Sequence, residues 1–518
     1  MLTTAEAVAM IQTHTRSSGG LRPAASHPAP LRRFLALVAL LAAGALAGCG
    51  SGEDMPAPSP DAADAPAPDS DLAAPGWLQI EGGWMIDVIE GERRANPGIL
   101  ISPEGRFHRV GEQGATPPAD VEPELLTLDE DLTILPGLID VHAHYNMDLT
   151  GDGRIEETRW NPLVFLANGV TTTWPGGEYR PELILALRDR IESGEWDGPR
   201  VIPSGPYYGT TRPGWNREMT AEQIHADVDE WVERGVLHFK AKGASPEHLE
   251  ALIERVHHHG GTVAGHVDSG ARGSTNSVDA IAMGINRIEH ILGGHALDRE
   301  QAAYPVWNQV DTTDAAFRET VALFLENEVF FDPTITAPVY FTELEEGFDD
   351  WADERGFFTP YVQERVAARE RSRNELMSNL YQAMKRTTLA FYNAGGGPWI
   401  TMGTDIPSRG EFLPGFSAHR ELHAMVLAGI PPLDALRAGT INGARALEMD
   451  DEIGSITPGK WADLAIVRGD PLDDIRATRN VTLVLMEGRV HDPGALLDRA
   501  RGRIGPTGPE EHGDWWQW

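Results

Sequence analysis

The middle of the chain alternates strand-like and helix-like stretches, and this alternation limits the folds open to it. Between residues 136 and 449, short apolar segments are separated by helical ones, and they read GLIDVHAH, GVTTTW, RVIPSG, VLHFKAKG, TVAGHV, RIEHIL, VFFDPTI and WITMGTD. Strands separated by helices form parallel βα units, and about eight such units predict a (β/α)8 TIM barrel. The stretch 341–393 is charged, helical in period and too long for one crossover. It predicts a helical insertion over the barrel mouth.

Short β-rich segments on both sides of the barrel region predict a second, smaller domain. WLQIEG and GILISPEG lie in 76–135, whereas ADLAIVRGD and VTLVLMEGRV lie in 450–495. Two sets of strands at opposite ends of a chain pair most simply with each other. We therefore predict an α/β protein whose barrel, over 136–449, is inserted into a small β-sandwich built from 76–135 and 450–495. Residues 496–518 are a tail.

The first 75 residues predict export of the protein. Arg32 and Arg33 precede an apolar run over 34–47, and small residues then lead to Cys49, the only cysteine. This order is typical of an export signal, and the run is too short to span a bilayer. Residues 46–49, LAGC, resemble a bacterial lipobox, which predicts a lipoprotein-type leader over 1–48 and an acylated Cys49. A buried cysteine after an apolar helix is the alternative.

Composition narrows the partners and the location of the protein. Residues 49–75 are rich in Pro, Ala and Asp, which predicts a disordered tether. The chain has 43 basic and 78 acidic residues, a net charge of -35, so its field repels phosphate backbones and excludes nucleic acid as a partner. We expect a membrane-anchored lipoprotein that faces the periplasm or the cell exterior and touches the membrane only through Cys49. The sequence leaves an oligomer open.

Residue types that bind metal ions stand at the carboxyl ends of five predicted strands, where barrel enzymes hold their chemistry. They are His142, His144, Lys240, His266, His290 and Asp405. Because side chains two apart in a strand point to the same side, both histidines of HAH face the barrel mouth. Imidazole and carboxylate suit Zn²⁺ and related divalent ions, and two such ions generate a nucleophile from water at neutral pH. Hydrolysis is the reaction class that this pattern predicts.

Several neighbouring patterns offer alternatives. Lys242 shares a strand face with Lys240 and is an alternative to it. The triplet 257–259, HHH, ends a helix before Gly-Gly, which predicts a solvated helix end instead of a metal site. The stretch DLTGDGRIEE resembles a calcium loop, but Arg159 stands where the final Glu should be, which favours an ordinary loop. Candidate substrate contacts, for which loop packing is the alternative, are Tyr207, Tyr208, His419 and Arg420.

The motifs PGLIDVHAH, HFK, GHVDS, IEHIL and MGTD, followed by LRAGTINGARALEMDDEIGSITPGKWADLAIVRGDPL, resemble those of the amidohydrolase superfamily. The resemblance runs from about residue 77 to 490 and is to the branch with imidazolonepropionases and metal-dependent Xaa-Pro dipeptidases. It implies one metal ion held by His142, His144 and Asp405, and a second held by His266 and His290. It further implies that Lys240 bridges the two ions as its N-carboxylated form, since an ammonium has no lone pair.

The resemblance also implies a function. The protein would be a metal-dependent hydrolase of carbon–nitrogen bonds in amides, cyclic amides or Xaa-Pro dipeptides, acting through a hydroxide that bridges the ions. Asp405 would be its general acid and base. Zn²⁺ is the expected metal, with Mn²⁺, Co²⁺ or Fe²⁺ as alternatives, and the substrate is a small molecule or a dipeptide. The alternatives are a single-metal, deaminase-like enzyme, a lactone hydrolase and a non-enzymatic, ligand-binding lipoprotein.

Overall fold

Most strands of the described residues belong to two groups, one mostly antiparallel and one parallel, and a short antiparallel pair lies apart from both. The computed structural model describes residues 76–112, 117–118, 121–149, 154–267, 269–342, 354–368, 373–407 and 412–511. All of these belong to a single unit that runs from Pro66 to Trp518. The predicted leader and tether lie outside the described residues, and the domain boundaries given above stay predictions.

The elements of the described residues are these. In chain order, the strands are β1 (Leu78–Asp87), β2 (Glu92–Ala95), β3 (Pro97–Ile101), β4 (Phe107–Glu112), β5 (Glu124–Pro136), β6 (Leu138–Ala143), β7 (Asn146–Met147), β8 (Ile155–Glu156), β9 (Val170–Pro175), β10 (Arg200–Val201), β11 (Tyr207–Tyr208), β12 (His238–Lys242), β13 (Thr262–His266), β14 (Arg287–Glu289), β15 (Phe330–Asp332), β16 (Leu464–Arg468), β17 (Val481–Met486) and β18 (Arg489–His491). The α-helices are α1 (Asn161–Ala167), α2 (Pro181–Glu192), α3 (Ala221–Glu233), α4 (Pro246–His258), α5 (Ser277–Met283), α6 (Ala303–Val306), α7 (Ala315–Glu326), α8 (Pro360–Ala368), α9 (Glu375–Phe391), α10 (Phe416–Ala428), α11 (Pro432–Ala438), α12 (Ile441–Ala446) and α13 (Pro493–Ala500).

One sheet joins the two ends of the described chain. Its strands lie in the order β4–β3–β1–β5–β16–β17–β18, with β2 paired to β1. Strands β1 and β5 are parallel, and β5 and β16 are antiparallel. Side chains that alternate along these strands, such as Ile80, Ile134 and Ile466, form one apolar core. The two ends therefore pair, but in a single described sheet, so the predicted β-sandwich is not shown.

The parallel strands pair in the order that consecutive βα units require. β6 pairs with β9 and β9 with β10, and β11 to β15 pair in chain order. A bridge between residues 178 and 206 links the two sets. The segment of the eighth predicted strand, WITMGTD, forms a single bridge from residue 400 to 331, and the next residue, 406, forms another to 143. These bridges place the segment between β15 and β6.

The helices that follow these strands are amphipathic and carry start signals. Helix α3 begins with a capping box, in which the Thr220 hydroxyl accepts from the Gln223 backbone and the Gln223 side chain accepts from Thr220. Ser245 caps α4 in the same manner through its hydroxyl. The buried residues of both helices recur at helical spacing and pack toward the strands. Local sequence and packing thus agree here.

Two helices, α8 and α9, lie inside the predicted insertion over 341–393. The segment before α8 is held to the body by a buried ion pair between Glu354 and Arg420, and the Leu413 backbone N–H donates to the same carboxylate at 2.8 Å. A role as a lid stays a prediction, because 343–353 and 369–372 lie outside the described residues. None of the described helices combines the length and the apolar character that crossing a membrane needs.

Replacing Ile466 by alanine should destabilise the sheet that joins the two ends of the chain. Ile466 is fully buried in the apolar core, and deleting its outer carbons leaves a cavity. We expect the free energy of unfolding to fall by about 2–5 kcal/mol, measured by urea denaturation with tryptophan fluorescence. The matched control is Ile89→Ala, since Ile89 is 50 % exposed and its loss should change stability by less than about 0.5 kcal/mol. Equal unfolding midpoints for both variants would contradict this packing.

Candidate metal centre

Both histidines of the first parallel strand meet the carboxylate of Asp405. Asp405 Oδ1 lies 2.9 Å from His144 Nε2 and 3.6 Å from His142 Nε2. One ligand atom from each of these three residues lies within 4.8 Å of the other two. Ile139 and Val141 face the other side of β6 and pack in an apolar cluster. The strand alternation therefore works as predicted, and three predicted ligands converge on one point.

The other two histidines complete a cluster of four imidazoles. The ring centroids of His266 and His290 are 4.3 Å apart, and those of His142 and His290 are 5.2 Å apart. Nδ1 of His144 and Nδ1 of His266 are buried without a hydrogen-bond partner in the part of the chain that the structure describes. A buried nitrogen without a partner is costly, and for His266, whose ring packs against that of His290, a bound cation would satisfy it. The donor set thus fits the divalent ions that imidazole prefers.

Lys240 lies among these imidazoles and is almost fully buried. Its Nζ is 3.2 Å from His142 Nε2, and its closest partner is the carboxylate of Glu289, with which it forms an ion pair. Glu289 also forms a second group of possible metal ligands with His142 and His290. The alternative to Lys240, Lys242, lies two residues further along β12 and lines the cavities at the mouth instead. The structure therefore places Lys240 at the cluster, and adds Glu289, which the sequence analysis did not single out.

Two further carboxylates position His142. Asp332 Oδ2 lies 3.1 Å from His142 Nδ1, so that Nδ1–H donates and leaves Nε2 for a ligand. Asp140 accepts from the backbone N–H of His142 at 3.0 Å, and from the hydroxyl of Thr404 at 2.7 Å. Gly403 allows this close approach, because a Cβ there would lie 2.5 Å from His142 Cβ. The Asp140–Thr404 contact holds the first strand against the segment that carries Asp405, and the Asp332–His142 contact holds it against β15.

The backbone turns sharply at two of the predicted ligands. His290 and Asp405 follow their strand segments with φ values of 68° and 55°, in the left-handed region that few residues other than glycine adopt. Hydrogen bonds hold both turns: His290 N donates to Asp332 O at 2.7 Å, and Asp405 N donates to His142 O at 2.8 Å. Such strain is typical of functional sites. Here it turns both side chains toward the imidazole cluster.

Burial sets the protonation states of the cluster. It lowers the pKa of His142, His144 and His266, and lowers that of His290 to about 3. The imidazoles are thus neutral at neutral pH and keep the lone pair that metal binding requires. Burial also lowers the pKa of Lys240, which favours its neutral amine.

Two adjoining cavities open onto the cluster. One, of about 680 Å³, is lined by His144, Tyr207 and Asp405 among others. The second, of about 640 Å³, is lined by His266, and the two cavities share Trp215 and Lys242. We call the two together the mouth groove. Its volume suits a small molecule or a dipeptide.

Of the four candidate substrate contacts, only Tyr207 lines the mouth groove. Tyr208 is buried against Phe239, with ring centroids 5.8 Å apart. His419 Nδ1 lies 3.1 Å from Thr478 Oγ1, and Arg420 pairs with Glu354. Packing, the alternative given for these candidates, describes Tyr208, His419 and Arg420, all of which are buried.

The histidine triplet 257–259 lies at the end of helix α4. His258 ends helix α4, His257 Nε2 lies 2.9 Å from Asn286 Oδ1, and His259 Nε2 lies 2.6 Å from Asp229 Oδ1. The triplet is thus a helix end, as predicted. Of the calcium-like loop, residues 150–153 lie outside the described residues.

Comparison with known proteins gives one match over most of the chain and several short ones. The sequence profile of the amidohydrolase family matches residues 133–491. An adenine deaminase from Clostridium botulinum is 42% identical over 69 residues, which are 13% of this chain and 10% of that protein. A 5-methylthioadenosine/S-adenosylhomocysteine deaminase from Thermoanaerobacter pseudethanolicus is 41% identical over 75 residues, 13% of this chain and 17% of that protein. The chain thus aligns with about a tenth of the length of the first of these curated relatives.

Solved structures resemble the chain over a much longer range. A candidate prolidase from Bifidobacterium longum is 25% identical with a TM-score of 0.61, and the match covers 83% of this chain and 100% of that one. A Xaa-Pro dipeptidase with methionine bound in its active site is 24% identical with a TM-score of 0.60, covering 80% of this chain and 100% of that one. The likenesses imply the predicted TIM-barrel fold with α/β content.

The family match bears directly on the site. It spans every residue of the imidazole cluster together with Lys240 and Asp405. Amidohydrolases generally use a divalent metal ion, and candidate ligands for one are present here. The resemblance predicted from the motifs is therefore confirmed, and this chain belongs to the amidohydrolase family.

Proposed function

We propose that this protein is a metal-dependent hydrolase that cleaves carbon–nitrogen bonds in small amides or dipeptides. The observation that carries the proposal is the cluster of four neutral imidazoles beside Asp405, open to a groove of substrate size. Membership of the amidohydrolase family supports an enzyme of this class, and so do the prolidase and deaminase names among its relatives. The mouth groove is the substrate site.

The cluster divides into two sets of metal ligands in this proposal. His142, His144 and Asp405 would hold one divalent ion, and His266 and His290 would hold the second. Lys240 would serve both sets as its carbamate, which forms when the neutral amine bonds to CO2 and releases a proton. Divalent ions bound there would polarise the amide carbonyl and acidify water, and Zn²⁺ suits these ligands best, with Mn²⁺, Co²⁺ or Fe²⁺ as alternatives. Glu289 holds the amine of Lys240 in position.

Asp405 moves the proton during hydrolysis. Water adds its oxygen to the amide carbon, one of its protons passes to Asp405, and the carbon–nitrogen bond breaks as Asp405 returns that proton to the leaving nitrogen. The carboxylate suits this task by position, since it lines the mouth groove and its Oδ1 lies 2.9 Å from His144 Nε2. Its strained backbone keeps the side chain directed into the cluster.

A second candidate function is a single-metal, deaminase-like hydrolase. One observation favours it: His142, His144 and Asp405 alone form a group of three possible ligands for one ion, without Lys240. The matches to deaminases agree with it. Lactone hydrolysis by the same residues and a purely ligand-binding role are the remaining alternatives, and the experiments below separate them.

Metal analysis tests the ligand assignment. Purified with Zn²⁺ supplied, the protein should hold about two equivalents per chain, by plasma mass spectrometry. His266→Ala should lose about one, because it removes a ligand of the second set. His257→Ala is the matched control, since His257 lies at the end of α4 and bonds Asn286. One equivalent in the wild type would favour the deaminase-like alternative, and none would favour a binding protein.

A hydrolysis screen tests the reaction and the roles of two residues. The panel holds Xaa-Pro dipeptides, N-acyl amino acids, adenine and lactones, with products identified by mass spectrometry. We expect amide cleavage, which Asp405→Asn should slow by about 10²- to 10⁴-fold. Lys240→Met should abolish turnover, and recovery of the metal-free wild type with Zn²⁺ should require bicarbonate. Activity retained in Lys240→Met, or recovery independent of bicarbonate, would rule out the carbamate.

The location of the protein is a separate proposal, supported by the sequence of residues 1–75. The leader directs export, and lipid on Cys49 anchors the protein so that it faces the periplasm or the cell exterior. Cys49→Ser should therefore move the protein from the membrane fraction to the soluble fraction, scored by immunoblot after fractionation. The control is Ser51→Ala, which leaves the thiol in place. Unchanged membrane association of Cys49→Ser would defeat the anchor.

A further inference from the structure

The mouth groove carries positive charge in a chain that is strongly acidic. The net charge of the chain is -35, yet the larger cavity is lined by four cationic side chains and, among the described residues, by a single carboxylate, that of Asp405. The cations are Arg154, Arg212, Arg217 and Lys242. A cleft that concentrates one sign of charge attracts ligands of the other sign. The local field thus favours an anion where the overall field would repel one.

The four cations differ in how far protein groups already compensate them. Arg212 forms a two-pronged ion pair with Asp227, at 2.7 and 3.1 Å, and Arg217 is exposed to solvent. Lys242 is only partly exposed, and no carboxylate of the described residues forms an ion pair with it. Since a partly buried ammonium without a counter-charge is unfavourable, an anion bound there would be stabilised.

Lys242 stands at the junction of the two cavities. It is the last residue of β12, lies in register with His266 on β13 and lines both halves of the mouth groove. Its Nζ lies 5.7 Å from the centre of the Tyr207 ring, which forms part of the same wall. An anion held by Lys242 is therefore next to the imidazole cluster. Lys242 lies two residues beyond Lys240, on the same face of β12.

Arg154 is a second cation of the groove, and the amide of Asn146 contacts it. Its Nη1 donates to Asn146 Oδ1 at 2.7 Å, and Asn146 Nδ2 in turn donates to Glu178 Oε2 at 3.1 Å. Arg154 and Asn146 both line the larger cavity, whereas Glu178 is buried behind them. Because Glu156 and Glu178 lie close enough to interact with the charge of Arg154, this cation is compensated more fully than Lys242.

We propose that Lys242 is the main contact of a subsite for a carboxylate of the substrate, at the junction of the two cavities. The inference rests on the proposed function and deepens it: the substrates are amides that carry a carboxylate close to the bond that breaks. Tyr207 and Trp215 supply the aromatic wall beside this subsite. In this proposal, Lys242 selects substrates that carry a carboxylate.

The test compares matched acids and carboxamides. Alanyl-proline and N-acetylphenylalanine are each used as the free acid and as the C-terminal carboxamide, with the Zn²⁺-loaded protein. We expect the acids to bind about 10- to 100-fold more tightly by calorimetry, because the charge-assisted contact is lost in the amides. For Lys242→Met this preference should shrink to about 3-fold or less, and Lys242→Arg should restore most of it. Among substrates that turn over, the loss should appear in KM more than in kcat.

The controls separate this subsite from the proposed hydrolysis. Lys385→Met removes a positive charge on α9, outside the groove lining, and should keep the full preference for acids. Equal binding of acid and carboxamide by the wild type would overturn the subsite even if both are hydrolysed. Absence of hydrolysis with a strong preference for the acids would leave the subsite standing and defeat the proposed function. If Lys242→Met fails to fold, the wild-type comparison still decides.

Discussion

The carboxylate of Asp140 joins β6, the first parallel strand, to the segment that carries Thr404 and Asp405. The arrangement of the imidazole cluster depends on this junction. Asp140 is fully buried and accepts from the backbone of His142 at 3.0 Å and from the backbone of Thr404 at 3.1 Å. The two ends of this junction are 264 residues apart in the chain. Because His142 and Asp405 flank it, their side chains meet at a place that neither segment would define alone. Burial raises the pKa of Asp140 to about 6, and the donors around it act against that rise.

Other buried charged side chains near the parallel strands also lie beside side chains of opposite charge. Arg287 is buried, donates to the backbone carbonyl of Val141 at 3.0 Å, and lies near Glu289 and Asp332. Removing one member of such a group leaves the others buried without compensation, which costs more than the group contributes as a whole. The role of these buried charges is to position residues of the cluster: Glu289 contacts Lys240, and Asp332 contacts His142.

Much of the site could be predicted because side chains alternate strictly along a strand, and His142, Lys240 and His266 all lie in the strands expected for them. Glu289 could not be predicted in this way, because neighbouring residues in a strand point to opposite faces. The left-handed turn at His290 brings the side chains of Glu289 and His290 to one site. Asp332 could have been found in the same way, because it lies in the predicted strand VFFDPTI and is the last residue of β15. The single sheet could not be predicted, because alternation identifies strands without naming the partners of each edge.

The sheet that unites the two ends of the chain has a consequence for how the protein is made. Strand β5 has β1 on one side and β16 on the other, and the hydroxyl of Thr133 donates to the carbonyl of Gly469, 336 residues later, at 2.6 Å. At ribosomal speeds of about 5–20 residues per second, the partner of that edge emerges roughly 20–70 s after β5 itself. For that interval the newly made chain presents an open, largely apolar strand edge. The fold therefore leaves this edge without its partner until the last tenth of the chain is translated.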